Sequence, residues 1–363
     1  MLYRSIAPPM GPSAYSLTLA NRPPTPMATS YVLPSLTRIS ALDATPFTVS
    51  ALPRDAWATG DYVACVVDQA PTGHDKLELS TGRMRPVMKG HRFIGALGER
   101  RATLSGTGDW RLAGADGRMH LLTSAGLMGK LSSKAPFLPD FLDVAYEGHV
   151  HLNGSKATMT HCIPDVPHAR FQIPTVLVTG TSMSMGKTTV AKTIVHRLKR
   201  RGHRVLGAKL TGAGRYRDVQ TMSDAGADVI FDFVDAGLPS TVCPPDVYTK
   251  HLRTLLSRMA TEPADVAVIE IGASPLEAYN GMAAIGAIAD AVRCVALVAS
   301  DPYAVHGILE AADLHPDFVC GPATNTDAGR SLIEQLTGLR SLNVVDEATT
   351  EALGQLLGEK LKR

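Results

Sequence analysis

The sequence predicts an α/β protein: a parallel-sheet domain over residues 171–363, preceded by a β-rich barrel or sandwich domain over 46–170 and an extended arm over 1–45. Three observations lead there. From Ile173 onward, short apolar runs alternate with helical patterns, as in a parallel sheet covered on both faces. Between about 46 and 168, apolar runs are separated by glycines at roughly hairpin spacing. Before them, Pro8, Pro9, Pro12, Pro23, Pro24 and Pro26 crowd a stretch otherwise rich in Ser, Thr and Ala. Such a stretch does not easily build a regular core; it reads as an arm that wraps another domain or a second subunit, or as a disordered tail.

In the β-rich part, Tyr62–Val67 and His91–Leu97 are apolar runs, and Gly82, Gly90, Gly98, Gly106, Gly108, Gly114 and Gly117 mark the turns. Arg83, Arg85, Lys89, Arg92, Arg100 and Arg101 make this segment locally basic. They read either as a solvated face or as contacts to a substrate carboxylate or phosphate, with Arg83, Arg85 and Arg92 as the first candidates. His149 and His151 fall on one face of a strand, a conceivable metal pair without a carboxylate or cysteine at ligand spacing beside it.

In the parallel part, strands are expected at 175–179, 204–210, 265–270, 293–299, 317–320 and 342–345. Helices are expected between them, for example Tyr248–Met259 and Gly329–Leu336. Ligands of such sheets bind at the carboxyl ends of the strands. The run Val176–Thr179 leads into Gly180-Thr181-Ser182-Met183-Ser184-Met185-Gly186-Lys187-Thr188-Thr189, and a helical pattern follows from Val190 to about Arg201. Strand, glycine-bounded loop ending Gly-Lys-Thr, then helix is the context of a phosphate-binding loop, or P-loop. Its backbone N–H groups point at phosphate oxygens, and Gly186 lets the main chain come close. Lys187 then reaches the β- and γ-phosphates of ATP, and the Thr188 hydroxyl sits on Mg²⁺.

Other strand ends add chemistry. Lys209 and Thr211 close the second strand, and Gly212-Ala213-Gly214-Arg215-Tyr216-Arg217-Asp218 follows as a substrate or nucleotide loop. Asp218 or Asp224 supplies an acidic Mg²⁺ contact. Glu270 ends the third strand; a carboxylate there is costly unless it holds a cation or a partner.

The P-loop spacing, Gly-x5-Gly-Lys-Thr, resembles that of dethiobiotin synthetase. It also resembles a related P-loop family, some of whose members are N-acetyltransferases acting on D-glutamate. The second lysine of MinD-like loops is absent from Ser182–Met185, which argues against a MinD-type switch. The resemblance implies that Lys209 meets substrate and phosphate, although this chain lacks the proline and its spacing to Thr211 is one shorter. It implies that Asn325, near the end of the fifth strand, reads the base. Glu270-Ile271-Gly272-Ala273-Ser274 keeps parts of both families' patterns, with Ile271 where both have glycine. Asp232–Gly237 resembles a stretch of the acetyltransferase-type family.

These readings predict an ATP- and Mg²⁺-dependent enzyme that phosphorylates or ligates a small carboxylate- or amine-bearing substrate, with Lys187, Lys209 and Glu270 catalytic. The alternatives are an acetyl-CoA-dependent N-acyltransferase and a non-catalytic nucleotide-binding module. The chain is 45% hydrophobic and 19% charged with a net charge of +2, which gives no case for nucleic acid or a membrane surface as a partner. Five dispersed cysteines with no Cys-x-x-Cys pair indicate reduced, cytoplasmic thiols. The resemblance further implies a homo-oligomer, a dimer.

Overall fold

The architecture was obtained as a computed structural model, which describes residues 30–362. The first part of the chain supplies strands β1 (Phe47–Ser50), β2 (Tyr62–Val67), β3 (Lys76–Glu78), β4 (Met84–Pro86), β5 (Arg92–Leu97), β6 (Glu99–Arg101), β7 (Gly106–Asp109), β8 (Arg118–Thr123), β9 (Leu127–Lys134), β10 (Asp143–Leu152) and β11 (Ser155–Lys156). The expected β-rich region before the parallel sheet is therefore present. β10 pairs with β2, β2 with β5, β5 with β9, β9 with β8, and β8 with β10 again, so these five strands close a small barrel. Full closure leaves none of the five with an unpaired edge.

The second part alternates β12 (Thr175–Gly180), α1 (Lys187–Lys199), β13 (Val205–Thr211), α2 (Arg217–Asp224), β14 (Val229–Asp232), α3 (Pro245–Ala260), β15 (Val266–Ile271), α4 (Gly281–Ile288), β16 (Val292–Val298), α5 (Pro302–Ala311), β17 (Phe318–Cys320), α6 (Asp327–Thr337) and α7 (Thr350–Leu361). The sheet is parallel with order β14-β13-β15-β12-β16-β17. β12 lies where the chain turns from building one side of the sheet to building the other, and such a switch point opens a crevice at the strand carboxyl ends. β12, β13 and β15 are buried along their whole length, which explains why they read as continuous apolar runs.

Two strand expectations are corrected. Residues 342–345 form no strand: Ser341 makes a single bridge to Val319, and a turn at Asn343–Asp346 then leads the chain away. β14 takes the other edge of the sheet, a four-residue run too short to stand out by pattern.

Residues 31–363 cluster as one unit. One apolar cluster joins barrel residues such as Tyr62, Ile94 and Leu127 to Leu206, Leu210 and Phe233 of the parallel sheet. Leu36, from the predicted arm, is buried in that same cluster, while Val32 bridges Phe93 and Pro34 bridges Leu79. Arg38 holds the segment to the parallel-sheet half: its guanidinium pairs with Asp232 at 2.6 Å and Asp235 at 3.0 Å and stacks 4.2 Å above the Tyr216 ring. Residues 31–45 thus pack into the core as a strap; residues 1–29 of the predicted arm lie outside the described residues. The five cysteines are free. No helix among the described residues is long and apolar enough to cross a membrane.

Candidate active site

β12 delivers the chain to the loop at Gly180, and α1 begins at Lys187. Two loop residues have left-handed backbones, Ser184 at φ 63° and Gly186 at φ 88°. Glycine takes that conformation without a Cβ penalty; at Ser184 it is a strained geometry of the kind that clusters at functional sites. The first amides of α1 have no acceptor within the helix and are free for an anion.

A cavity of about 920 Å³ opens at this edge. Met183, Ser184, Gly186, Lys187 and Thr188 line it, together with Lys209, Asp218 and Glu270. The structure therefore brings together the lysines, the carboxylates and the loop that the sequence singled out. The remaining loop residues support it. The Ser182 carbonyl accepts a hydrogen bond from Lys187 Nζ at 2.5 Å, and Thr181 Oγ1 accepts one from Ser300 N at 3.3 Å. Met185 packs into the apolar layer beneath the sheet, and Thr189 is exposed on α1.

Register explains the cation–carboxylate cluster. Lys209 on β13 lies directly beside Glu270 on β15, which in turn lies beside Val178 on β12. The Lys209 ammonium stands 3.6 Å from Glu270 and forms a shorter ion pair with Asp218. Burial pulls the Lys209 pKa down, but Asp218 and Glu270 outweigh it and the net shift is upward, so this lysine stays charged. Lys187 behaves oppositely: burial dominates, assisted by Lys209 and opposed by Glu270, and its pKa falls to about 8. An anion close to Lys187 would reverse that shift. Glu270 Oε2 and Thr179 Oγ1 are buried without a hydrogen-bond partner among the described residues. A hard cation bound beside the Thr188 hydroxyl fits an unpartnered carboxylate oxygen at this place.

Between the two acids left open by the sequence, Asp218 lines the cavity, whereas Asp224 lies at the far end of α2. Asn325 is exposed on the turn after β17 and does not line the cavity. Gly272 is fixed by close approach, since a Cβ there would stand 2.1 Å from the Thr211 carbonyl oxygen. Ala273 next to it has φ 59° and faces the cavity.

The β-rich half supplies a further wall, with His74, Arg100, Leu104, Phe137 and Phe141 among its residues, from β6 and from loops outside the five barrel strands. Of the basic segment, Arg100 reaches the cavity. Arg83, Arg85 and Arg92 do not; the first two are exposed, and Arg92 pairs with Glu147 at 2.7 Å. Glu277 and Tyr279 were missed by the sequence reading and also line the cavity. Burial raises the pKa of both, that of Tyr279 to about 12. They stand on an irregular loop with no spacing signal; only their position after Glu270 and the Gly272 turn could have pointed to them. The histidine pair makes no metal site. His149 is buried against Tyr146 at 2.6 Å and Asp61 at 3.3 Å, His151 meets Ser50, and no metal-binding group of three or more ligands occurs among the described residues. Asp232 and Asp235 likewise serve structure, capping a short helical turn and holding Arg38.

The second half of the chain is a P-loop NTPase fold. Its strand order, its parallel sheet and the loop between β12 and α1 establish this. No family model matches the chain, and no curated protein matches it. Among solved structures, HypB from Helicobacter pylori in complex with nickel aligns over 52% of this chain and 87% of its own, at 13% identity and a TM-score of 0.36. A DUF1611 family protein from Anabaena variabilis aligns over 54% of this chain and 61% of its own, at 16% identity and a TM-score of 0.34. A ParA family ATPase from Chlorobium tepidum aligns over 53% of this chain and 92% of its own, at 12% identity and a TM-score of 0.31.

Proposed function

We propose that the protein is an ATP- and Mg²⁺-dependent enzyme that transfers the γ-phosphoryl group to a small carboxylate-bearing acceptor, either as the final step or to activate it for ligation. The observation that carries this is one shared cavity. The phosphate loop, the Lys209–Asp218–Glu270 cluster and a wall of the β-rich half all open into it. The loop amides and Lys187 would hold the phosphates, and Thr188 and Glu270 would hold Mg²⁺. When bound, the metal supplies positive charge where negative charge develops. Lys209, kept charged by its two carboxylates, neutralises the group in transfer. The wall from the β-rich half excludes water and selects the acceptor.

A second reading is an acyltransferase that takes acetyl-CoA. One observation favours it: Leu104 and Phe137 on the cavity wall are exposed apolar side chains, suited to an extended thioester arm. Titration calorimetry of the full chain with ATP–Mg²⁺ and with acetyl-CoA separates the two. We expect ATP–Mg²⁺ binding that Lys187→Ala abolishes; acetyl-CoA binding without ATP binding would reverse the assignment. By the resemblance to dethiobiotin synthetase we also propose a cytoplasmic dimer, to be checked by light scattering at micromolar concentration.

A further inference from the structure

The β-rich half and the loop before α2 place Arg100 and Arg215 on the cavity wall, and neither has a carboxylate partner among the described residues. Arg100, on β6, is held rigidly. It donates hydrogen bonds to the Leu122 carbonyl and to Ser105 Oγ, and its guanidinium lies 5.6 Å from the centre of the Phe141 ring. Arg215 lies in the 212–218 loop, and its side chain makes no ion pair or hydrogen bond among the described residues. Burial lowers the Arg100 pKa, Tyr279 opposes this and Arg215 adds to it, so the two guanidinium charges feel each other. Burial lowers the His74 pKa on the same wall, and Arg100 and Arg215 lower it further against Asp75. Lys209 has Asp218 and Glu270 to balance it; Arg100 and Arg215 have no such carboxylate counterpart among the described residues.

Half-buried Arg100 and exposed Arg215 line the same cavity, and a bound anion there would balance both positive charges. We propose that Arg100 and Arg215 form a subsite for a carboxylate of the acceptor, supplied jointly by the β-rich half and the 212–218 loop. Each Nη of Arg100 gives one N–H to Leu122 or Ser105, which leaves its remaining N–H groups for a two-oxygen anion, and the acceptor's carboxylate is the anion assigned to it. The acceptor would thus be fixed by its carboxylate at one end, with its reacting group directed toward Lys209. This inference rests on the reading of the cavity as a group-transfer site and names the residues that select the acceptor.

The test uses the full-length chain and two probes, succinate and inorganic phosphate, each titrated calorimetrically into the unmodified protein, Arg215→Gln and Arg100→Lys. Succinate should bind the unmodified protein, and Arg215→Gln should weaken it by about tenfold or more. Arg100→Lys keeps the charge but loses the planar fork, and should weaken succinate severalfold; thermal denaturation confirms that each variant is folded. The subsite is overturned if succinate gives no binding up to about 10 mM, if its affinity is unchanged in folded Arg215→Gln, or if inorganic phosphate is the anion whose binding depends on Arg215. ATP–Mg²⁺ is titrated separately. Loss of succinate binding with ATP binding intact sinks the subsite alone, whereas Arg215-dependent succinate binding without ATP binding sinks the nucleotide reading alone.

Discussion

Lys187 offers a quantitative test of the phosphate site. In the free protein burial holds its pKa near 8, below the 10.5 of an unperturbed lysine. Bound phosphates would stabilise the ammonium and return the pKa to 10 or above. Binding near neutral pH then needs little protonation, but at pH 9 about nine-tenths of the free protein must first take up a proton. The affinity should therefore fall about tenfold between pH 7 and pH 9, roughly 1.4 kcal/mol. At pH 8 each nucleotide bound should draw in about half a proton. Calorimetry in two buffers of different ionisation enthalpy measures that uptake directly. The free protein gives an independent sign. A lysine whose folded pKa lies below its unfolded value makes the unfolded chain bind more protons between pH 8 and 10.5, so this group's contribution to stability rises with pH across that window. A nucleotide affinity flat from pH 7 to pH 9, with no proton uptake at pH 8, would refute the reasoning, because Lys187 would then be charged before the ligand arrives.

Three further outcomes follow from the geometry. Glu270→Gln should cut the Mg²⁺-dependent part of ATP affinity about tenfold while leaving metal-free ATP binding nearly unchanged; equal Mg²⁺ dependence in the variant would make Glu270 structural. Glu78, buried on β3, accepts hydrogen bonds from Ser35 Oγ and from the Tyr216 and Arg217 amides at the start of α2. Glu78→Ala should destabilise the chain by about 3 kcal/mol in urea unfolding, and a loss below about 1 kcal/mol would show that the junction tolerates losing these bonds. A 171–363 fragment should aggregate or bind the fluorescent dye ANS, because cutting there exposes Leu206, Leu210 and Phe233 of the shared cluster; a soluble, cooperatively folding fragment would contradict the shared core.

The choice of Asp218 over Asp224 came from the tertiary structure, but the sequence by itself determined the phosphate loop, the parallel sheet around it and the strand-end residues Lys209 and Glu270. The reason is local. A glycine-bounded loop between a buried strand and a helix is written in consecutive residues, and fully buried strands show as unbroken apolar runs. The barrel was legible as short strands with glycine turns, but its closure was not, because β5 pairs with β9 and β8 with β10 across long separations in sequence. Only the folded structure decides which arginine of the basic segment reaches the cavity. Arg92 and Arg100 look alike in sequence, yet one pairs with Glu147 outside the site and the other lines the cavity. Leu36 and Arg38 gave no sign that their stretch would be buried, because Leu36 finds its cluster and Arg38 finds Asp232 only after both halves have formed. What a residue contributes from its own neighbours can be read along the chain; what it contributes by meeting a residue a hundred or more positions away is decided by packing alone.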